Sequence, residues 1–378
     1  MINLKRLAET FKFFVGIDSV SREEGALSKE LERILISLGA ETFVDDAGQC
    51  IGGNTGNLIA KFKGSTKAPP LMLNAHMDTV EPGKNVSVIF KNETFTSDGT
   101  TILGADDKSA IAVLLEVMRV LTENKMQHCP IELVFTICEE IGLLGAKNLD
   151  ISLISAKYGY ALDSSDTEAI VTRTPAANRL EFTIHGKDAH AGSAPENGIN
   201  AISIACRAIS ELDMGRIDYE TTANIGVIRG GVATNIVPNL VEVKGEVRSH
   251  NDGKLSMVTD NIVASFQNVV KNYNSSSLEN SIPRLEKSIK KEFSLTNIPD
   301  DHFIVTLAQK AAFNLRKKMT TKTTGGASDA NIFFSKGIIT GVLGTGMNDV
   351  HTLRENIRLE DMAYAANLLL EIIKLHSY

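Results

Sequence analysis

Two adjacent carboxylates, Glu139 and Glu140, follow an apolar run at residues 131–137 and precede Ile141 and Gly142. Neighbouring side chains at a strand end point to different sides. The pair therefore divides naturally into one carboxylate that holds a cation and one that handles a proton. Other side chains suited to the same chemistry are spread along the chain. His76 and Asp78 stand two apart where the apolar pattern of residues 69–80 runs into polar residues. On an extended chain both face the same way, so the carboxylate can accept the imidazole N–H that a metal leaves unused, fixing the tautomer and raising ligand basicity. Asp106 and Asp107 stand just ahead of an apolar helical pattern at 110–121, Asp163 closes a short strand-like run, and His351 lies in a polar loop.

Each of these has a plain structural explanation when taken alone. His-x-Asp is frequent by chance, acids ahead of a helix cap it and complement its dipole, and an aspartate after a strand is commonly a turn residue. The weight shifts because four successive α/β segments each end in, or lead into, His or carboxylate residues. Mixed imidazole and carboxylate ligation suits zinc, or cobalt or manganese, and the lack of thiolates argues against a purely structural site. His76, Asp106, Glu140, Asp163 and His351 exceed what one tetrahedral ion needs. Two ions sharing a bridging carboxylate use all five and leave Glu139 free as a base.

The elements that must position these residues follow from periodicity. Helical spacing marks residues 3–15 and 24–38, and strand patterns occupy 41–45 and 57–62 with glycines between them. After the strand at 131–137 the chain turns through Gly142. Beyond about residue 178 the style changes to alternating strands (179–185, 223–229, 240–248, 285–293) and helices (198–212, 252–273), with a polar loop at 274–277. Buried-style elements resume at 303–316, 329–336 and 338–343, and a helix closes the chain at 359–376. This predicts an α/β protein with a mixed-sheet domain, helices on both faces, over 1–177 and 297–378. Inserted at 178–296 is a smaller α+β domain, a four-stranded antiparallel sheet with two helices.

Composition narrows the function classes. With 43% hydrophobic and 22% charged residues among 378, the chain reads as an ordinary globular protein. A net charge of −7, no tryptophan and a single diluted basic run at Lys287, Lys290 and Lys291 speak against nucleic-acid binding. No window is apolar enough for a membrane span, and the N-terminus lacks a secretory core. The four cysteines (Cys50, Cys129, Cys138, Cys206) form no C-x-x-C pair, which fits reduced thiols and a cytosolic location.

The ordered set resembles a known family. Asn74-Ala75-His76-Met77-Asp78-Thr79-Val80, then Gly104-Ala105-Asp106-Asp107-Lys108, Glu139-Glu140-Ile141-Gly142, Asp163 and the late His351 are similar to the di-zinc metallopeptidases that include peptidase T, carboxypeptidase G and the aminoacylases. The Gly-Ala-Asp-Asp-Lys wording is closest to the peptidase T branch. The resemblance implies that Asp106 bridges two zinc ions, that His76 and Asp163 complete one site, and that Glu140 and His351 complete the other. It further implies that Asp78 orients His76, that Glu139 is the general base, and that the Asp106–Asp107 peptide is cis. In the inserted domain it implies a substrate-contacting His190, reached across a homodimer interface, with Asn235 and Arg248 as a clamp for the substrate carboxylate; a bidentate arginine suits a peptide C-terminus. The expected activity is hydrolysis of short peptides by an aminopeptidase of the tripeptidase type. A carboxypeptidase or N-acyl-amino-acid amidohydrolase on the same scaffold is the alternative. A catalytically silent peptide- or metal-binding protein is a third reading, against which the intact Glu139 counts.

Overall fold

The computed structural model describes residues 1–273 and 283–378, so the loop expected at 274–277 lies outside the described residues. Two compact units are present, Met1–Arg173 with Thr296–Tyr378, and Thr174–Leu295.

The first unit is built on a nine-stranded mixed sheet. Its centre is parallel: Leu71–His76 lies between Ile131–Thr136 and Tyr158–Ala161, and Ile339–Leu343 continues beside Tyr158–Ala161. Leu71–His76 and Ile131–Thr136 are buried at every residue, as expected of strands covered on both faces. Adjacent residues fall into different apolar clusters, as the strand pleat requires. Tyr160 and Leu343 join the large core, whereas Ala161 and Val342 pack with Ala330 of helix Asp329–Ser335. Helices thus cover both faces. Strands Glu41–Val44 and Leu58–Phe62 extend the sheet antiparallel, with a short helix Ala47–Ile51 in the segment the sequence marks as a turn.

Helix Ala105–Glu123 is buried along nearly its whole length. Its regular turns begin only after Asp107, because Asp106 (φ −81°, ψ 101°) and Asp107 (φ −121°, ψ 28°) are not helical. Helix Leu4–Val15 anchors it: Arg6 Nε donates to Glu116 Oε2 at 2.6 Å, a fully buried carboxylate. The start of Leu4–Val15 is fixed by Asn3, whose Oδ1 accepts the Arg6 N–H at 3.1 Å. Asn3→Ala is expected to cost about 1 kcal/mol, read as a lower urea midpoint at unchanged slope.

The second unit is an antiparallel sheet in the order Gly215–Asp218, Thr221–Gly230, Leu240–Ser249, Ala176–His185, Arg284–Phe293, with helices Ala201–Ser210 and Asp252–Lys271. Its core includes Phe182 stacked on Phe266 at 4.1 Å. The sheet has five strands where the sequence suggests four. The fifth, Gly-Arg-Ile-Asp, is a short edge strand that carries no alternating apolar pattern and pairs with its hairpin neighbour Thr221–Gly230. A three-stranded sheet, Val88–Lys91, Thr94–Ser97 and Asn356–Arg358, also escapes the sequence, because short strands joined from distant segments leave no periodicity. No helix among the described residues is long and apolar enough to cross a membrane.

Candidate metal centre

In a parallel sheet, sites collect beyond the carboxyl ends of the strands. His76 is the last residue of its strand and pairs with Thr136, the last of its neighbour. Glu139 and Glu140 follow that neighbour through a tight turn in which Cys138 (φ 52°) and Gly142 (φ 111°) are left-handed. The Glu139 carbonyl accepts the N–H groups of Gly142 (3.0 Å) and Leu143 (2.8 Å). Gly145 lets the turn fold back, since a Cβ there would stand 2.2 Å from the Ile137 carbonyl oxygen. Asp163 leaves the adjacent strand Tyr158–Ala161. His351 comes from a loop beyond Ile339–Leu343 and is itself left-handed (φ 60°).

These side chains converge. His76 Nε2 is 3.0 Å from Asp106 Oδ1, and His351 Nε2 is 3.2 Å from Asp106 Oδ2 and 2.9 Å from Glu140 Oε1. One carboxylate therefore faces one imidazole with each of its oxygens. Ligand atoms of His76, Asp106 and Glu140 lie within 4.8 Å of one another. The peptide between Asp106 and Asp107 is cis. The Asp163 carboxyl is raised to about 7, by burial first and then by the charge of Asp106. Glu139 is raised well above the usual range by burial, with Asp163, Asp329 and Glu140 adding to the shift. Glu140 is raised by burial against the hydrogen bond from His351. His351 is pushed up to about 10 by its bonds to Asp106 and Glu140. Burial favours the neutral form of His76, but its bonds to Asp106 and Asp78 outweigh it and hold the imidazole well above its ordinary value. Burial likewise opposes ionisation of Asp106, yet the same two histidines hold it below the usual carboxylate range.

Asp78 touches His76 as the spacing suggests, but mainly through its backbone: Nδ1 is 3.0 Å from the Asp78 carbonyl oxygen and 3.5 Å from Oδ1. The buried carboxylate has further partners. It accepts the Ser21 hydroxyl (2.6 Å) and the main-chain N–H groups of Glu139 (2.9 Å) and Glu140 (3.2 Å). Asp78 thereby ties the glutamate turn to the strand end that carries His76. Sequence reasoning gave no role to Asp329, a buried acid bonded to the Thr136 hydroxyl and raised to about 6 by burial. Its position after Gly325-Gly326 was the only available signal.

The remaining candidates lie in the second unit. His190 and Ile236 form an isolated bridge, and the Asn235 carbonyl accepts the Ala191 N–H at 2.9 Å, so His190 and Asn235 are brought together. His190 Nδ1 accepts the N–H groups of Gly192 (3.2 Å) and Ser193 (3.1 Å), which leaves the Nε2–H of an exposed ring as a donor. Arg248 forks onto Glu246 with Nε at 3.0 Å and Nη2 at 3.1 Å.

An α/β unit with imidazoles and carboxylates gathered at its strand ends, interrupted by an antiparallel sheet unit, is the architecture of a two-domain metallopeptidase. Residues 57–168 match the model of peptidase family M28, and residues 176–274 match a peptidase dimerisation domain. YqjE of Bacillus subtilis, an uncharacterised protein, is 39% identical over 375 residues, 99% of each chain. The crystal structure of aminopeptidase PepT from Bacillus cereus is 37% identical with a TM-score of 0.90 over 100% of both chains. A tripeptidase from Staphylococcus aureus is 37% identical with a TM-score of 0.93, covering 100% of this chain and 99% of that one. The chain belongs to the M20 metallopeptidase family, in its peptidase T-like branch.

Proposed function

We propose that this chain is a di-zinc aminopeptidase that releases the N-terminal residue of short peptides, tripeptides foremost, with cobalt or manganese able to replace zinc. The observation that carries the reading is the Asp106 carboxylate, which sets one oxygen against His76 and the other against His351 (3.0 and 3.2 Å). In this reading Asp106 would be shared between two ions, with His76 and Asp163 holding one and Glu140 and His351 holding the other. The donor set fits such ions. Imidazole nitrogens and carboxylate oxygens already converge, and the buried acids around them, with Asp107 Oδ1 and Asp329 Oδ1 lacking a hydrogen-bond partner among the described residues, are groups whose ionised forms bound cations would favour.

Two divalent ions held by these residues would make a bound water more acidic and polarise the scissile carbonyl. Glu139 accepts the proton of the attacking water on a carboxylate oxygen and returns it to the departing amine. Asp78 keeps Glu139 in place by holding the main-chain N–H groups at 139 and 140. In this reading His190 is supplied by a second copy of the chain across a dimer interface and would offer its Nε2–H to the developing oxyanion, while Asn235 and Arg248 would serve as the clamp for the substrate carboxylate. A second copy of the chain associates through the unit at Thr174–Leu295, which is supported by the dimerisation-domain match. Four unpaired cysteines support a cytosolic setting.

The deciding assay uses the metal-loaded protein on di-, tri- and tetrapeptides with free or blocked ends. Turnover is expected to require a free N-terminal amine and to favour tripeptides. Cleavage of N-acylated amino acids would move the assignment to an amidohydrolase, and release of C-terminal residues from N-blocked peptides to a carboxypeptidase.

A further inference from the structure

Glu355 is 1% exposed and sits just beyond His351, at the foot of a loop closed by paired main-chain bonds between Asn348 and Asn356 (2.8 and 3.0 Å). Its carboxylate turns away from that loop. Oε2 accepts the N–H groups of Leu103 (2.8 Å) and Gly104 (2.7 Å), and Oε1 accepts the N–H of Asp106 (3.0 Å). One buried acid thus satisfies three main-chain donors of the segment that presents Asp106. That segment cannot use helical bonds for the purpose, because Gly104 is left-handed (φ 76°) and Asp106 and Asp107 lie outside helical geometry. Glu355 and Asp106 are 249 residues apart in sequence, so no local element sets their distance.

His351 and Asp106 meet at 3.2 Å, and ligand atoms around a transition metal must be placed to within about 0.2 Å. His351 stands on an exposed loop, so its place relative to Asp106 depends on what ties the two segments together. Glu355 is that tie. We propose that Glu355 is a positioning residue of the metal centre, holding the Asp106 and His351 segments in register so that both reach the same cation; this rests on the assignment of Asp106 and His351 as ligands. Glu355 touches neither substrate nor ion. Its effect passes through the main chain of one ligand and the loop of the other.

A matched comparator exists in the same unit. Glu132 is 3% exposed and likewise accepts main-chain bonds, from Ser155 (3.0 Å) and Ala156 (2.9 Å), but at the amino ends of strands Ile131–Thr136 and Tyr158–Ala161, whose opposite ends lead to the ligands. The experiment uses the full chain loaded with cobalt(II) alone, in wild type, E355Q, E355D and E132Q. Bound cobalt is counted by equilibrium dialysis, the visible absorption of the ion reports ligand geometry, and thermal melting reports folding. Wild type is expected to bind two ions. E355Q is expected to bind one of them roughly 10–100-fold more weakly, with an altered absorption band, while E355D retains part of the affinity. E132Q is expected to lower the melting temperature yet keep wild-type affinity and spectrum.

Unchanged cobalt affinity and spectrum in both Glu355 variants would overturn the proposal and leave the metal assignment standing. Equal weakening in E132Q would overturn it as well, since general destabilisation would then account for the loss. So would the absence of a cooperative melting transition in both Glu355 variants, which would make the residue a folding strut. A wild-type chain that binds fewer than two ions would remove the metal assignment and this proposal with it.

Discussion

Glu139→Ala is expected to lower kcat by roughly 10²-fold or more while the protein keeps its full complement of metal. The two halves of the result have separate causes. In the proposed assignment Glu139 is not one of the five metal donors, so its removal leaves His76, Asp106, Glu140, Asp163 and His351 intact. The turn also survives, because Asp78 holds the main-chain N–H groups of residues 139 and 140, which alanine retains. What disappears is an acceptor whose proton affinity burial has raised, the property a general base needs to take a proton and later give it up. Kinetics on a tripeptide, paired with elemental analysis, separates the outcomes. Undiminished turnover would pass the base role to another residue, and loss of metal would make Glu139 a ligand.

Removal of metal by a chelator is expected to abolish turnover, and zinc, cobalt or manganese to restore it. The geometry explains why the effect should be complete. Two imidazoles and several buried carboxylates are gathered together, and burial, with the neighbouring acids adding to it, raises the proton affinity of Glu140 and Asp163. Metal must displace those protons, so apparent affinity falls as pH falls. Since the ions bind the folded chain, their removal should also lower the melting temperature. The linkage is worth about 2.7 kcal/mol when free metal is one hundred times its dissociation constant. Full activity in demonstrably metal-free protein would refute the mechanism.

Much of the site was legible because its chemistry is written in residue types at strand ends. His76, Glu139 with Glu140, and Asp163 each follow a buried apolar run, and such runs are recognisable without a structure. The late start of the regular turns in Ala105–Glu123 was legible too, since Asp106 and Asp107 stand before the apolar period begins. The division of labour around Asp78 was only half visible. Spacing put its side chain beside His76, but its bonds to Ser21 and to the turn at 139 and 140 depend on segments that meet only in the folded sheet. Glu355 was invisible for the same reason: in sequence it is one acid in a polar loop.

The sequence by itself determined which donors exist and on which elements they stand, because burial periodicity and strand ends are local properties of the chain. It also carried the family, through an ordered set of motifs that are weak one at a time. Only the tertiary structure decided which oxygen faces which nitrogen. Asp106 presents one oxygen to His76 and the other to His351 because a parallel sheet brings the strand ends together and Glu355 ties the last loop to the helix start. Those contacts join residues far apart in the chain, and no local pattern encodes a distance between them.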